Sequence, residues 1–312
     1  MEDIFFNEAE HKYYDANGHI YTSVTTLIHK YAPEFDTEFW CMYTALKEHN
    51  LKVKPEPRKR SIYVGAKLYK LADLMKDSKF KFWYLEIEAR WKGLNAEACE
   101  RGNIIHNDLE DNINLSKKDI GGKTNSLILP KGNKVLKTQH DLEATNLQKK
   151  YPAVYERLLG YIQRDFSIFA EKKVFLAEYY LAGMIDVPIF KDNWFCILDW
   201  KTNKDELKET AGYYKKVKIQ GKWVKTDEWV RTGECFEYPL DMLEASKFHT
   251  YALQLSTYAY ILEQWGYKLV PNGLEIIHFP LGYEPRLLKV PYLKKEVEVM
   301  LNHHKLNRLN IG

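Results

Sequence analysis

Cysteine is scarce: 312 residues hold four, at positions 41, 99, 196 and 235. No two are spaced as C-x-x-C, which excludes a dithiol redox motif. Scattered in this way they are expected to be reduced thiols, mostly in the core, in a cytosolic setting. Long apolar runs are also missing. The most apolar stretch, 174–190, is broken by Glu178 and Asp186, so no membrane span is expected. The opening residues, MEDIFFNEAE, are acidic and have neither the apolar core of a secretory signal nor the arginines of a transit peptide. The expected location is therefore cytoplasmic. Net charge is only +3, which permits a polyanionic partner without demanding one. Internal repeats and long low-complexity tracts are absent. Gly122-Lys123-Thr124 resembles the end of a phosphate-binding loop, but that loop needs a glycine where Lys117 stands, so it is excluded.

What the chain does have is core material. Apolar residues make up 45%, with 22 tyrosines and 8 tryptophans, enough for one large domain or two small ones. Residues 4–21 read as a β-hairpin turning at Asp15–Gly18. A helix is expected from about Leu27 to Pro33, and another over 39–50. His11, His19 and His29 fit no metal-ligand spacing. The stretch 52–60, KVKPEPRKR, reads as a basic linker, and helical periodicity follows over 62–75, 80–91 and 95–113. Residues 114–150 and 204–248 read as insertions, the first lysine-rich and mobile. The second holds a hairpin around Gln220-Gly221-Lys222, whose lysines, Tyr and Trp suit a single nucleic-acid strand. A helix over 247–265, a strand near 274–279 and a helix over 293–307 close the chain.

The most informative stretch is 183–201, GMIDVPIFKDNWFCILDWK. It reads as two strands joined by a turn at 190–193. Asp186 lies on the first, Asp199 and Lys201 on the second. Residues two apart on a strand share a face, so Asp199 and Lys201 project together while Leu198 and Trp200 face a core. Charges at the end of an apolar strand are costly unless offset, and a divalent metal would offset them. Pro188 cannot donate to a ladder and marks an edge or a bulge. Gly102, His106 and Glu110 lie four apart on one helix, and Gln254 and Tyr258 four apart on another.

Taken together these motifs resemble the PD-(D/E)xK nucleases, specifically the RecB-like exonuclease branch. G-x-x-x-H is matched by Gly102 and His106. G-x-[IV]-D is matched by Gly183 to Asp186. D-x-K is matched by Asp199 to Lys201, and Q-x-x-x-Y by Gln254 and Tyr258. The four occur in the family's order. The likeness covers about 95–280 and is similar to the mitochondrial genome maintenance exonuclease and to phage-encoded exonucleases.

The resemblance implies an α/β fold: a restriction-endonuclease-like mixed central sheet flanked by helices. An N-terminal hairpin and helical region, 1–94, would form an arch over the cleft of a nuclease core at 95–312. It implies one or two Mg²⁺ or Mn²⁺ ions held by Asp186, Asp199, the Trp200 backbone carbonyl and His106. Lys201 would act on the attacking water, with a pKa lowered by neighbouring cations from about 10.4. Gln254 and Tyr258 would position the DNA or brace the ligands, with Glu110 and Glu171 as supporting candidates. Some relatives carry an iron–sulfur cluster on four cysteines, three of them near the C-terminus. Here the last is Cys235, so none is expected. The implied activity is a metal-dependent DNA exonuclease acting on single strands or ends, in recombination, repair or DNA degradation. With no helicase motif, it would use threading, a separate helicase or a recombination partner. The alternatives are a structure-specific or restriction-type endonuclease of the same fold, and a catalytically silent DNA-binding scaffold.

Overall fold

The computed structural model describes residues 4–7, 10, 12–49, 51–114, 135–220 and 222–309. His11, Gly221 and the 115–134 part of the first insertion, with Lys117 and the Gly122-Lys123-Thr124 tripeptide, lie outside them. The chain forms two compact units, 34–103 and the combination of 1–33 with 104–312. The larger begins with three strands, β1 (Ile4–Asn7), β2 (Lys12–Asp15) and β3 (Ile20–Ser23). The turn between β2 and β3 is closed by the Gly18 N–H donating to the Asp15 carbonyl, with Gly18 at φ 83°. Helix α1 (Val24–His29) follows, its first turn capped by Ser23 Oγ, which accepts from the Thr26 N–H at 3.0 Å.

The smaller unit holds α2 (Thr37–Glu48), the antiparallel sheet β4 (Val53–Glu56), β5 (Ser61–Val64) and β6 (Lys67–Lys70), and the short α3 (Leu71–Leu74). Here two expectations fail. The basic stretch 52–60 is a strand and a 3₁₀ turn rather than a linker, and in 62–75 two strands take the place of most of the expected helix, which survives only as α3. The β-branched and aromatic run Ile62-Tyr63-Val64, then a turn with Gly65 at φ 61°, favours a hairpin over a helix. The helices expected over 80–91 and 95–113 are one continuous helix, α4 (Ser78–Ile113), because Gly93 alone costs too little to break it. Its 104–113 portion belongs to the larger unit.

The larger unit resumes with α5 (Gln139–Glu143), α6 (Leu147–Lys150) and α7 (Pro152–Ile162). The described part of the first insertion packs into the core through Leu136, Leu142 and Leu147, an apolar spacing hidden among lysines. Strands β7 (Ser167–Ile168), β8 (Lys172–Leu176), β9 (Leu181–Ile185), β10 (Val187–Lys191) and β11 (Trp194–Lys201) follow. After them come the hairpin β12 (Gly212–Ile219) and β13 (Lys222–Arg231), α8 (Lys247–Gln264), β14 (Lys268–His278), β15 (Arg286–Lys289) and α9 (Lys294–Leu309).

Two five-stranded sheets result, in the orders β1-β2-β3-β9-β8 and β15-β14-β11-β10-β7. The second is mixed: β11 runs parallel to β14 and antiparallel to β10. This is a mixed α/β architecture. The first strand of the 183–201 stretch is broken at Asp186, so β9 lies in one sheet and β10 in the other. Pro188 stands where β10 has only the two-residue β7 outside it, and that pairing begins at Ile189. Residues 1–33, grouped by sequence with 34–94, belong to the larger unit. There β3 pairs with β9 in parallel and α1 joins α8 in one core.

Alternation along β11 feeds two cores. Phe195 and Ile197 join α1, α8, α9 and β9; Cys196, Leu198 and Trp200 join the end of α4 and α5–α7 on the opposite face. A strand buried on both faces needs such an unbroken apolar run. Asp199 and Lys201 fall on the α8 side. Among the described residues, no helix is long and apolar enough to cross a membrane.

Candidate active site

The pairing of β10 with β11 sets Val187 opposite Leu198. One step further along that register, Asp186 stands opposite Asp199. Like charges across a strand pair repel, so this placement calls for compensation. Three contacts supply part of it. The Trp200 N–H donates to Asp186 Oδ2 at 3.2 Å. Against the upward push of burial, interaction with the Asp199 carboxyl pulls the Asp186 pKa down. Lys201 Nζ lies 2.5 Å from Asp199 Oδ2 as an ion pair.

The compensation is incomplete. Asp199 is 2% exposed, and its Oδ2 has no hydrogen-bond partner of proper geometry despite the nearby ammonium. Burial pushes the Asp199 carboxyl up to about 7, with Lys201 pulling it down and Asp186 pushing it further up. Asp186 is raised as well, chiefly by burial. Lys201 moves opposite to the sequence expectation. Burial opposes its charge, but Asp199 and Asp186 hold its pKa above the ordinary lysine value. The expected fall assumed cations beside it, whereas its neighbours here are anions.

Helix α4 brings in His106. Its Nδ1 is 3.6 Å from Asp186 Oδ2, and its ring hydrogen-bonds the Trp200 backbone carbonyl. Burial is the main cause of its lowered pKa, so the ring is biased towards the neutral form a metal ligand requires. Glu110, one turn on, adds its negative charge to the surroundings of both His106 and Asp186. Glu171 meets the site through its backbone. Its N–H donates to the Asp186 carbonyl at 2.9 Å, while its charge acts on Tyr13.

On α8, Gln254 Nε2 donates to the Tyr258 hydroxyl at 3.2 Å, both buried. The Tyr258 ring lies against Gly183 on β9. A Cβ built on that glycine would stand 2.5 Å from Tyr258 Cε1. The glycine of one motif is thus the space into which the tyrosine of another fits. Tyr258 is raised well above the ordinary tyrosine range, first by burial, then by Tyr13, Asp199 and Asp186.

Two further residues join the constellation without having been singled out by sequence. Lys201 Nζ lies 4.7 Å from the centre of the Tyr251 ring, and the Tyr251 hydroxyl donates to Asn203 Oδ1 at 2.8 Å. The Asn203 carbonyl accepts from His278 Nε2 at 2.9 Å. Tyr251 was legible in principle, because positions 251, 254 and 258 share one helical face. Asn203 gave no signal, since its place depends on how the chain leaves β11.

The donors gathered here suit a hard divalent cation: two carboxylates, a backbone carbonyl and an imidazole. The buried, unsatisfied Asp199 Oδ2 is the particular atom that such an ion would satisfy. Among the described residues no three His, Cys, Asp or Glu side chains stand together as a ready-made metal cage. The Lys201 ammonium takes the place beside Asp199 Oδ2. Comparison with known proteins finds no matching family model, curated protein or solved structure.

Proposed function

We propose that the chain is a metal-dependent deoxyribonuclease of the PD-(D/E)xK, RecB-like type, digesting DNA from an end. The mixed sheet with helices on both faces is read as its restriction-endonuclease-like core. One observation carries the reading. Asp186, Asp199 and Lys201 meet across one strand pair, His106 reaches them from α4, and the Asp199 carboxylate, ion-paired to Lys201, is buried. No structural need explains a buried carboxylate at Asp199 facing the half-buried one at Asp186.

In this reading Asp186, Asp199, the Trp200 carbonyl and His106 hold Mg²⁺ or Mn²⁺. Such an ion, when bound, would supply Lewis-acid chemistry, lowering the pKa of the attacking water and offsetting charge at phosphorus and the leaving 3′-oxygen. The chain's own groups do the rest. Lys201 orients the water and offsets negative charge developing on the phosphate. Gln254 and Tyr258 brace the strand that carries Asp186, through the contact with Gly183. Trp200, with its side chain anchored in the opposite core, fixes the carbonyl aimed at His106 and the N–H that holds Asp186.

The test uses end-labelled single- and double-stranded DNA with Mg²⁺, Mn²⁺ or chelator. Cleavage is expected with either ion, none with chelator, and none for Asp199→Ala. Lys201→Ala is expected to retain DNA without cutting it. Covalently closed single-stranded circles are expected to survive; their cleavage would replace the exonuclease reading with an endonuclease one. Failure of the intact chain to cut any of these substrates with either ion overturns the proposal.

A further inference from the structure

Beside the acidic pair lies a cavity of about 580 Å³ that the proposed chemistry does not use. That volume falls within the ~300–1,000 Å³ usual for ligand clefts. Its walls are the segment following Lys201, the foot of the β12–β13 hairpin, the end of α1 and the start of α8. Asn203 belongs to this wall and also accepts the Tyr251 hydroxyl, whose ring lies beneath Lys201. Asn203, Tyr251 and Lys201 therefore connect the cavity wall to the acidic pair.

The lining carries the carboxylates of Asp205, Glu206 and Glu234 and apolar groups, together with lysines and aromatic rings. Lys208 and Lys225 are ion-paired, with Glu206 and Asp205, and Lys225 Nζ also sits 3.8 Å over the Tyr214 ring. Lys204 and Lys216 are exposed and, among the described residues, have no carboxylate at ion-pair distance. Between these cations stand aromatic rings. Trp229 is fixed edge-on to Tyr214, while Tyr213 is 56% exposed. Uncommitted cations track a phosphate backbone, and open aromatic faces stack bases of any sequence. The base faces of a duplex are already stacked, and a cavity of this size admits a nucleotide-sized group but no duplex.

We propose that this cavity holds a single DNA strand next to the Lys201 site, with Lys204 and Lys216 on its phosphates and Tyr213 stacked on a base. The assignment of the strand to DNA rests on the nuclease reading. The experiment measures the two separately. Binding of a fluorescent oligothymidylate is followed by anisotropy over a range of salt, using the full chain with chelator present so that nothing is cut. Tyr213→Ala is expected to weaken binding by about 5-fold or more. Lys204→Ala with Lys216→Ala is expected to flatten the dependence of log affinity on log salt by about 0.7 per lysine. These residues are on the surface, and unchanged thermal melting confirms that the variants fold. Lys12→Ala, outside the lining, is expected to bind as the parent does.

Parental affinity and salt slope in both variants overturn the proposal. So does a duplex that binds equally tightly and is weakened by the same substitutions. DNA cleavage by the unmodified chain is scored apart. Cleavage with no dependence on the cavity residues sinks the cavity alone. Cavity-dependent binding without cleavage sinks the nuclease reading and leaves the cavity standing.

Discussion

Substituting Gly183 by alanine tests whether the β9 motif and the α8 motif fit each other as described. The Gly183 backbone does not lie in the left-handed region, so alanine costs nothing in dihedral terms. In a strand, alanine even gains about 0.5–1 kcal/mol from the lost freedom of glycine. Against this, the new methyl would lie 2.5 Å from Tyr258 Cε1 and 3.2 Å from its Cζ and hydroxyl oxygen. Carbon atoms rest about 3.5–4.0 Å apart, so the ring must retreat by about 1 Å. It has little room, being 3% exposed and tied to Gln254. Overpacking of this kind costs about 1–3 kcal/mol. The balance is a loss of about 0.5–2 kcal/mol, read from the urea midpoint. Adding Tyr258→Ala to Gly183→Ala removes the obstructing ring, so the cycle is expected to show a favourable coupling of at least about 0.5 kcal/mol. Nuclease activity is expected to fall further than stability, because the ring's retreat pulls on the strand ending at Asp186. A Gly183→Ala chain at least as stable as the parent, with additive double-mutant energies, refutes the fit between the two motifs.

Arg157 forms a two-pronged pair with Glu275, which is 1% exposed and also accepts from the Tyr161 hydroxyl. Arg157→Met leaves that carboxylate buried and is expected to cost about 3–5 kcal/mol in urea unfolding, part of it recovered by adding Glu275→Gln. His304 is 4% exposed with an unpartnered Nε2. Burial, then Lys30 and Arg308, lower its pKa from 6.5 to about 4. On acidification the unfolded chain therefore takes up this proton first. Its effect on stability is absent above pH 6.5 and grows as pH falls to about 4, reaching no more than about 3 kcal/mol. His304→Leu is expected to flatten that part of the stability profile, and an unchanged slope between pH 6.5 and 4 would count against it. Tyr251→Phe keeps the ring under Lys201 but loses the hydroxyl bond to Asn203. It is expected to cost about 1 kcal/mol, measured by thermal melting.

Strands and helices of the larger unit were legible where one pattern dominated. The apolar run before Asp199 announced a strand buried on both faces, and the spacing of 251, 254, 258 and 262 announced α8. The shared face of Asp199 and Lys201 followed from strand periodicity alone, and their ion pair shows it. What sequence could not reveal was pairing at a distance. That residues 22–23 lie beside 181–182 depends on a contact over 150 positions away, so 1–33 read as part of the wrong unit. The sheet at 53–70 was read as linker and helix because lysines masked the alternation of Val53, Ile62 and Val64. The break at Asp186 was invisible because isoleucine and valine on either side favour strand equally.

That break has a mechanical meaning. Asp186 sits at the single peptide step by which the chain passes from β9 in one sheet to β10 in the other, and it faces Asp199 on β11. The distance between them is therefore a gauge of how closely the two sheets are seated. A disturbance that slides β3 or β8 need touch neither aspartate to alter the geometry of the proposed cation site. Conversely, an ion clasped by both aspartates would rivet the N-terminal strands to the rest of the larger unit.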